Sequence, residues 1–182
     1  LHKQPWFSTT FRDIGEDMET AKAEGKRLAI FFEQRGCIYC RKLHTEVLSD
    51  PKVANYIKEN FVVVQYNLYG DEEVTDLDGE TLTEKTAARK WRGVFTPTIM
   101  FLPEEPKQGK GVGQAAVSTM PGAFGKGTTL HMFEWVKTKG YEGDEPFQKY
   151  HARRLVEEAE GEREGIRPAL AAALRTGEEL RA

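Results

Sequence analysis

Two cysteines separated by two residues constrain this chain more than any other feature of its sequence. Cys37 and Cys40 are the only cysteines among 182 residues, and two cysteines placed at random would show this spacing in roughly 1% of such chains. The pair follows the apolar run at 28–32 after a short polar stretch, and a helical pattern begins with it at 40–48. The sequence therefore predicts a cysteine pair where a buried strand connects to the start of a helix.

A helix start favours thiol chemistry. The reactive form of cysteine is the thiolate, and the unpaired N–H groups and partial positive charge of a helix N-terminus stabilise it. Lowering the pKa of a thiol from ~8.5 to ~7 requires about 2 kcal/mol, which one helix end and a few hydrogen bonds supply. Because the first sulfur lies at the exposed helix start and the second one turn inside, we predict that Cys37 is the attacking nucleophile and Cys40 the resolving thiol. This chemistry needs no metal and no organic cofactor.

Two other roles for the cysteine pair have to be weighed. A purely structural disulfide would close so short a loop that it would add little stability. A metal site is the other alternative, because Cys37, Cys40 and His44 lie on neighbouring turns with Glu33 nearby. The remaining histidines show no metal-ligand spacing with these residues. We therefore favour redox chemistry and predict no metal.

Glu33 and His44 each allow two interpretations. Glu33 stands four residues before Cys37 and is a candidate proton acceptor for Cys40, reached through water. Loop carboxylates are usually exposed, however, so we favour a solvated Glu33. For His44 we favour a place on the helix surface over a role as general base.

Composition excludes several classes of protein. The net charge is −3 with both signs interspersed, whereas a nucleic-acid-binding protein would show clustered basic charge. No apolar run approaches the ~18 residues of a membrane span, so we expect a chain that is not embedded in a membrane. Two cysteines are too few for a disulfide-framework protein, and a zinc ribbon needs a second pair of soft ligands.

The order of the apolar patterns predicts an α/β chain. Strands are predicted at 28–32, 61–68, 98–102 and 114–119. Helices are predicted at 13–25, 40–48, 51–58 and 144–160, with two more that begin at Thr81, in a capping box with Glu84, and at Thr128 or Thr129. Residues 70–80, between the second strand and the helix that begins at Thr81, are predicted to form an acidic loop. This order predicts a mixed sheet with helices on both faces. We divide the chain into a domain at 1–143 and a C-terminal helix and loose tail at 144–182, with a weak helix or loose tail from Gly161 onward.

Two motifs resemble those of the thioredoxin fold. Phe31-Phe32 precede Cys37-Ile38-Tyr39-Cys40, and Thr96-Pro97-Thr98 follow about sixty residues later, before a strand. The resemblance covers roughly residues 14–139 and implies a thioredoxin-like fold with a C-terminal helical extension. It also implies that the Thr96–Pro97 bond is cis and faces the cysteines, although most X-Pro bonds are trans.

In that family the backbone before this proline pairs with an extended substrate segment, as in a short β-augmentation. The resemblance therefore implies that Thr96 and Pro97 bind substrate. Tyr39 is either an exposed platform for a partner or a half-buried ring. We count it among the expected substrate-binding residues.

One branch of the family is more similar still. The segment at 40–67 resembles the periplasmic thioredoxin-like proteins encoded with bacterial sulfur-oxidation (Sox) genes, and Met120-Pro121-Gly122 and the segment at 147–150 fit that branch. This resemblance implies a periplasmic protein that reduces a sulfur-carrier or other exported protein and is re-reduced by a membrane electron donor. The chain begins with Leu, so we expect a processed or trimmed product, which permits a secreted origin.

The predicted function is that of a thiol–disulfide oxidoreductase that reduces protein disulfides. Ile38-Tyr39 stand where thioredoxins have Gly-Pro, and an aromatic residue before the second cysteine is similar to the disulfide isomerases. An oxidase or isomerase of the same fold is therefore the alternative within the class. Phe31 stands where thioredoxins carry a buried Asp. The alternative from another class is a non-catalytic metal- or peptide-binding module.

Overall fold

A four-stranded sheet forms the centre of the computed structural model, which describes residues 1–181. The strands are β1 (Arg27–Glu33), β2 (Phe61–Asn67), β3 (Glu73–Thr75), β4 (Thr81–Thr83), β5 (Thr98–Phe101) and β6 (Ser118–Pro121). The central sheet has the order β2-β1-β5-β6, in which β1 pairs parallel with β2 and antiparallel with β5. Because β5 and β6 also pair antiparallel, the predicted mixed sheet is confirmed.

Helices cover both faces of this sheet, as predicted. They are α1 (Ile14–Ala23), α2 (Ile38–Lys42), α3 (Pro51–Asn60), α4 (Glu84–Lys90), α5 (Val112–Ala115), α6 (Lys126–Lys137) and α7 (Phe147–Arg181). Successive residues of β1 face opposite sides: Ile30 packs in a core cluster with α1 and α4, whereas Phe31 packs in a second cluster with α3 and α6. Since both faces of β1 are covered, the sequence of this strand contains a continuous apolar run.

Local sequence explains where the helices near the cysteines begin and end. The Asp13 side chain accepts a hydrogen bond from a backbone N–H of α1, and Gly25 follows that helix with a positive φ of 70°. The Asp50 side chain caps α3 in the same way, and Pro51 occupies the first helical position. Both are common signals for a helix boundary. They confirm the helices predicted to flank the first two strands.

The acidic segment at 70–80 is more ordered than predicted. It contains β3, which pairs antiparallel with β4. Thr81 therefore lies in a strand, and the capping box predicted for Thr81 and Glu84 is wrong. Thr83 caps α4 instead, and its partner in the capping box is Thr86. Glu84 is buried and accepts hydrogen bonds from backbone N–H groups.

Two boundaries in the second half of the chain also differ from the predictions. The strand predicted at 114–119 begins only at Ser118, because the residues before it form the short helix α5, which is packed into the core. Helix α6 begins at Lys126, without a side-chain cap. Thr128 and Thr129 therefore lie inside this helix and do not cap it.

The long helix α7 extends the chain beyond the sheet. Its first turns pack on α6, where the Nε2 atom of His131 lies 2.8 Å from a carboxylate oxygen of Glu158 and the Nδ1 atoms of His131 and His151 are 2.7 Å apart. From Gly161, where the sequence leaves a weak helix or a loose tail open, the backbone is helical to Arg181. No helix in residues 1–181 combines the length and the apolar character needed to cross a membrane.

Candidate active site

The cysteine pair lies at the start of α2, as predicted. Cys37 is the N-cap residue of this helix, and its Sγ accepts a hydrogen bond from the backbone N–H of Cys40 at 3.0 Å. The two residues form a disulfide, with their Cα atoms 5.2 Å apart. Cys37 is partly exposed, whereas Cys40 is 1% exposed. An incoming sulfur therefore has access to Cys37 and not to Cys40.

The Thr96–Pro97 segment faces Cys37 from the other side. The peptide bond between these residues is cis, as the family resemblance implies. The Thr96 hydroxyl oxygen lies 3.3 Å from Cys37 Sγ, and the Thr96 carbonyl oxygen lies 3.6 Å from the same sulfur. The Gln34 amide donates a hydrogen bond to that hydroxyl at 2.7 Å. Gln34 is a residue that the sequence analysis does not single out.

Glu33 and His44 form a buried pair, so the solvated Glu33 and the surface His44 favoured from the sequence are both wrong. The Nε2 atom of His44 lies 2.7 Å from Oε1 of Glu33, and the side chains are 4% and 1% exposed. Glu33 is buried because β1 continues one residue past the apolar run and pairs Glu33 with Asn67 of β2. His44 belongs to the π-helical turn Leu43–Val47 that follows α2.

Glutamine side chains on two sides complete the hydrogen bonding of this pair. Gln65 of β2 donates to the second Glu33 carboxylate oxygen at 2.5 Å. On the other side, the Gln4 amide nitrogen lies 3.0 Å from His44 Nδ1. Both ring nitrogens of His44 therefore have a partner, with Nε2 facing Glu33 and Nδ1 facing Gln4. A buried polar side chain with hydrogen-bond partners is a stable arrangement, because burying a polar group without partners is costly.

An N-terminal arm, residues 1–10, covers this pair. The Ser8 N–H donates to the Val63 carbonyl of β2 at 2.8 Å, and Phe7 is buried in the core. The Phe7 ring packs edge-on against the rings of Phe31 and His44, with centroids 5.3 Å and 5.7 Å away. The arm therefore separates the buried pair from solvent, a contact that spacing along the sequence does not reveal.

Three large apolar side chains are exposed next to the redox residues. Ile38 and Tyr39 between the cysteines, and Phe95 in the loop before Pro97, are exposed. Tyr39 is 61% exposed, which favours the exposed platform over the half-buried ring. Its ring also lines a groove of about 280 Å³ between α2 and the start of α6, bounded on the far side by Phe124. A patch of this kind is typical of a surface that contacts another protein.

The described residues contain no group of three cysteine, histidine, aspartate or glutamate side chains arranged to hold a metal ion. Cys37 and Cys40 are bonded to each other. His44, the third residue of the metal site considered from the sequence, directs Nε2 to Glu33 and Nδ1 to Gln4. The arrangement is therefore suited to sulfur exchange at the partly exposed Cys37.

Comparisons with known proteins agree with this geometry. A family model described as a Thioredoxin-like domain matches residues 14–120. The solution structure of a thioredoxin from Thermus thermophilus is 27% identical in sequence and has a TM-score of 0.52. The match covers 72% of this chain and 91% of that thioredoxin. A thioredoxin-fold protein from Helicobacter pylori is 19% identical, with coverages of 71% and 80% and a TM-score of 0.52. No curated protein matches the sequence.

Proposed function

This chain belongs to the Thioredoxin-like domain family, and from that premise we propose that it reduces disulfides of other proteins through Cys37 and Cys40. The observation that carries the proposal is the asymmetry of the pair. A partly exposed sulfur at the start of α2 is bonded to a buried sulfur and is surrounded by an exposed apolar surface. Such a pair accepts a protein substrate at one sulfur and releases it with the other.

The reaction begins with the reduced protein. The Cys37 thiolate accepts hydrogen bonds from the Cys40 N–H and the Thr96 hydroxyl, groups that lie 3.0 Å and 3.3 Å from its sulfur. It attacks one sulfur of the substrate disulfide, a new S–S bond forms, and the other substrate sulfur leaves as a thiolate that takes up a proton. Cys40 then loses its proton and attacks Cys37 Sγ, which releases the second substrate thiolate. Two electrons pass to the substrate, and the Cys37–Cys40 disulfide remains.

The Cys40 proton needs an acceptor, because this side chain is buried away from bulk water. His44 follows Cys40 by four residues in the helical segment that begins with α2, so the two side chains share a face. We propose Glu33 as the acceptor, reached through water, with His44 holding its carboxylate in place. In this proposal the Glu33–His44 pair has the role that a buried Asp has in thioredoxins. In this chain Phe31 occupies the position of that Asp.

Substrate binding is proposed at three residues around Cys37. The backbone of Thr96, next to Pro97, pairs with an extended segment of the substrate in a short β-augmentation. Tyr39 supplies an exposed ring beside it. The groove next to Tyr39 gives room for side chains of that segment. Mutation of Tyr39 is expected to raise KM for a protein substrate more than it lowers kcat.

The compartment and the physiological partners are a further part of this proposal. The segment at 40–67 and Met120-Pro121-Gly122 resemble the periplasmic thioredoxin-like proteins of sulfur-oxidation gene clusters. We therefore propose a periplasmic protein that reduces an exported sulfur-carrier protein and is re-reduced by a membrane electron donor. Trapping with Cys40→Ser, which leaves the mixed disulfide unresolved, followed by identification of the bound protein, tests this assignment.

Reduction of insulin by dithiothreitol, measured with the wild type and with Cys37→Ser, tests the reaction itself. We expect catalysis by the wild type and none by the variant, and equal rates would contradict an enzymatic function. The redox potential separates reductase from oxidase or isomerase. Equilibration with glutathione is expected to give a value well below about −200 mV, whereas a value near −120 mV would indicate an oxidase.

A further inference from the structure

Gln34 connects the strand that leads to the cysteines with the loop that faces them. It directly follows β1 and is partly buried. Its amide Nε2 lies 2.7 Å from the hydroxyl oxygen of Thr96, and that oxygen lies 3.3 Å from Cys37 Sγ. The Gln34 amide and the Thr96 hydroxyl, from two distant parts of the chain, therefore form one hydrogen-bonded line that ends at Cys37 Sγ.

The donors and acceptors in this line fix its direction. A hydroxyl has one proton to donate and two lone pairs that accept. When Gln34 donates to the Thr96 oxygen, it occupies a lone pair and leaves the hydroxyl proton for another acceptor. A Cys37 thiolate has no proton of its own, so it accepts that proton together with the N–H of Cys40. Hydrogen bonds to an ionised group are the stronger ones, and successive bonds polarise one another.

The orientation of the Gln34 amide determines whether the Thr96 hydroxyl can donate its proton to Cys37. If the Gln34 side-chain oxygen faced Thr96, the hydroxyl would donate to Gln34 and turn its proton away from the sulfur. We propose that Gln34 is a positioning residue of the redox site, whose amide orients the Thr96 hydroxyl so that it donates its proton to the Cys37 thiolate. This inference rests on the proposed thiol chemistry and adds to it a residue that does not touch the sulfur.

Other charges near Cys37 remain the same when Gln34 is changed. The charged or titratable side chains on the elements around the sulfur are those of Glu33, Arg35, Tyr39, Cys40, Arg41, Lys42, His44 and Arg92. A neutral replacement of Gln34 alters none of them. A change in the ionisation of Cys37 in such a variant therefore reports on the hydrogen-bonded line.

The test measures the rate of alkylation of the reduced protein by iodoacetamide between pH 4 and pH 9, with the modified residue identified by mass spectrometry. Only Cys37 is accessible, so the midpoint of the rate profile reports its pKa. Gln34→Leu is expected to raise that midpoint, which lowers the thiolate fraction below the midpoint about threefold to tenfold. Gln34→Glu, which accepts the hydroxyl proton and adds a negative charge, is expected to raise it further. Gln114→Leu, at an exposed position of α5, serves as the matched control and is expected to leave the profile unchanged.

A merely structural role for Gln34 is excluded by a double-mutant cycle with Thr96→Val. If Gln34 acts through the hydroxyl, Gln34→Leu has no further effect on the midpoint once the hydroxyl is gone. An unchanged midpoint in Gln34→Leu, or an equal shift in the Thr96→Val background, would overturn the proposal. Gln34→Met, which keeps the shape without the amide, replaces Gln34→Leu if that variant does not fold. The insulin assay on the wild type fails or succeeds independently of these midpoints, so the two proposals are separated.

Discussion

The imidazole of His44 is hydrogen-bonded to the carboxylate of Glu33, with 2.7 Å between Nε2 and Oε1, and both side chains are buried. The pair lies between β1 and the turn that follows α2, the same two elements that carry the cysteines to their positions. The elements that hold the disulfide therefore also hold the Glu33–His44 pair. The role proposed for Glu33 in the resolving step gives the first prediction.

Glu33→Gln is expected to slow the attack of Cys40 on a mixed disulfide by about 10²-fold at pH 7, because the neutral amide does not accept the Cys40 proton. The rate is measured by stopped flow after Cys37 is loaded with a chromophoric thiol. Glu59→Gln, at an exposed position of α3, is the control and keeps the wild-type rate. Resolution at the wild-type rate in Glu33→Gln would show that the proton goes elsewhere.

Phe7→Ala is expected to lower the free energy of unfolding by about 3 kcal/mol, because it leaves a cavity beside Phe31 and His44. Phe11→Ala is a matched control, since Phe11 is 93% exposed while Phe7 is 6% exposed. Urea unfolding of both variants gives the comparison. Similar losses in the two variants would mean that the N-terminal arm does not belong to the core.

Asp17 gives a pH dependence of stability. Burial raises the pKa of this carboxyl to about 6, although Thr10 donates a hydrogen bond to it. The folded protein therefore binds this proton more tightly than the unfolded chain, so stability from this group is present below pH ~4 and is lost as the pH rises to ~6. Between pH 4 and pH 7, we expect the free energy of unfolding of the wild type to fall by about 2 kcal/mol relative to Asp17→Asn.

Urea unfolding at a series of pH values measures this difference. Glu19→Gln, at an exposed position of α1, is the control and should parallel the wild type. A wild-type curve that runs parallel to that of Asp17→Asn across the whole range would contradict the assignment.

For His151 we expect the opposite pH dependence, with stability lost as the pH falls. Burial, followed by the neighbouring His131, lowers the pKa of this histidine. The unfolded chain then takes up the proton before the folded protein does, so the stability that comes from a neutral His151 is lost as the pH falls below ~6.5. Between pH 7 and pH 5, the wild type should lose more stability than His151→Gln, whereas His2→Gln should behave as the wild type does. Equal losses in the wild type and His151→Gln would contradict this pH dependence.

Local patterns are enough to predict the position of the cysteine pair. The apolar run at 28–32 indicates a strand buried on both faces, and the helical spacing after Cys40 indicates where a helix follows, so the joint between them is determined by neighbouring residues. The two helix starts at Asp13 and Asp50 are local in the same sense. The cis bond before Pro97 is different, because the residues alone favour trans and only the family resemblance implies cis.

The burial of Glu33 could not be predicted from its neighbours. The apolar run ends at Phe32, so Glu33 looks like the first residue of a loop, and its partners Gln4, His44 and Gln65 come from three separate segments. A weak signal exists, since Glu33 is two residues after Phe31 and so faces the same side of the strand. Gln34 and Thr96 are likewise brought together only by the tertiary fold.

The contact of the N-terminal arm with the buried pair has a practical consequence. Gln4 and Phe7 lie against His44, so proteolysis that removes the first seven residues would expose the buried Glu33–His44 pair to water. We therefore expect the rate of disulfide exchange to depend on whether the N-terminal arm stays packed against β2.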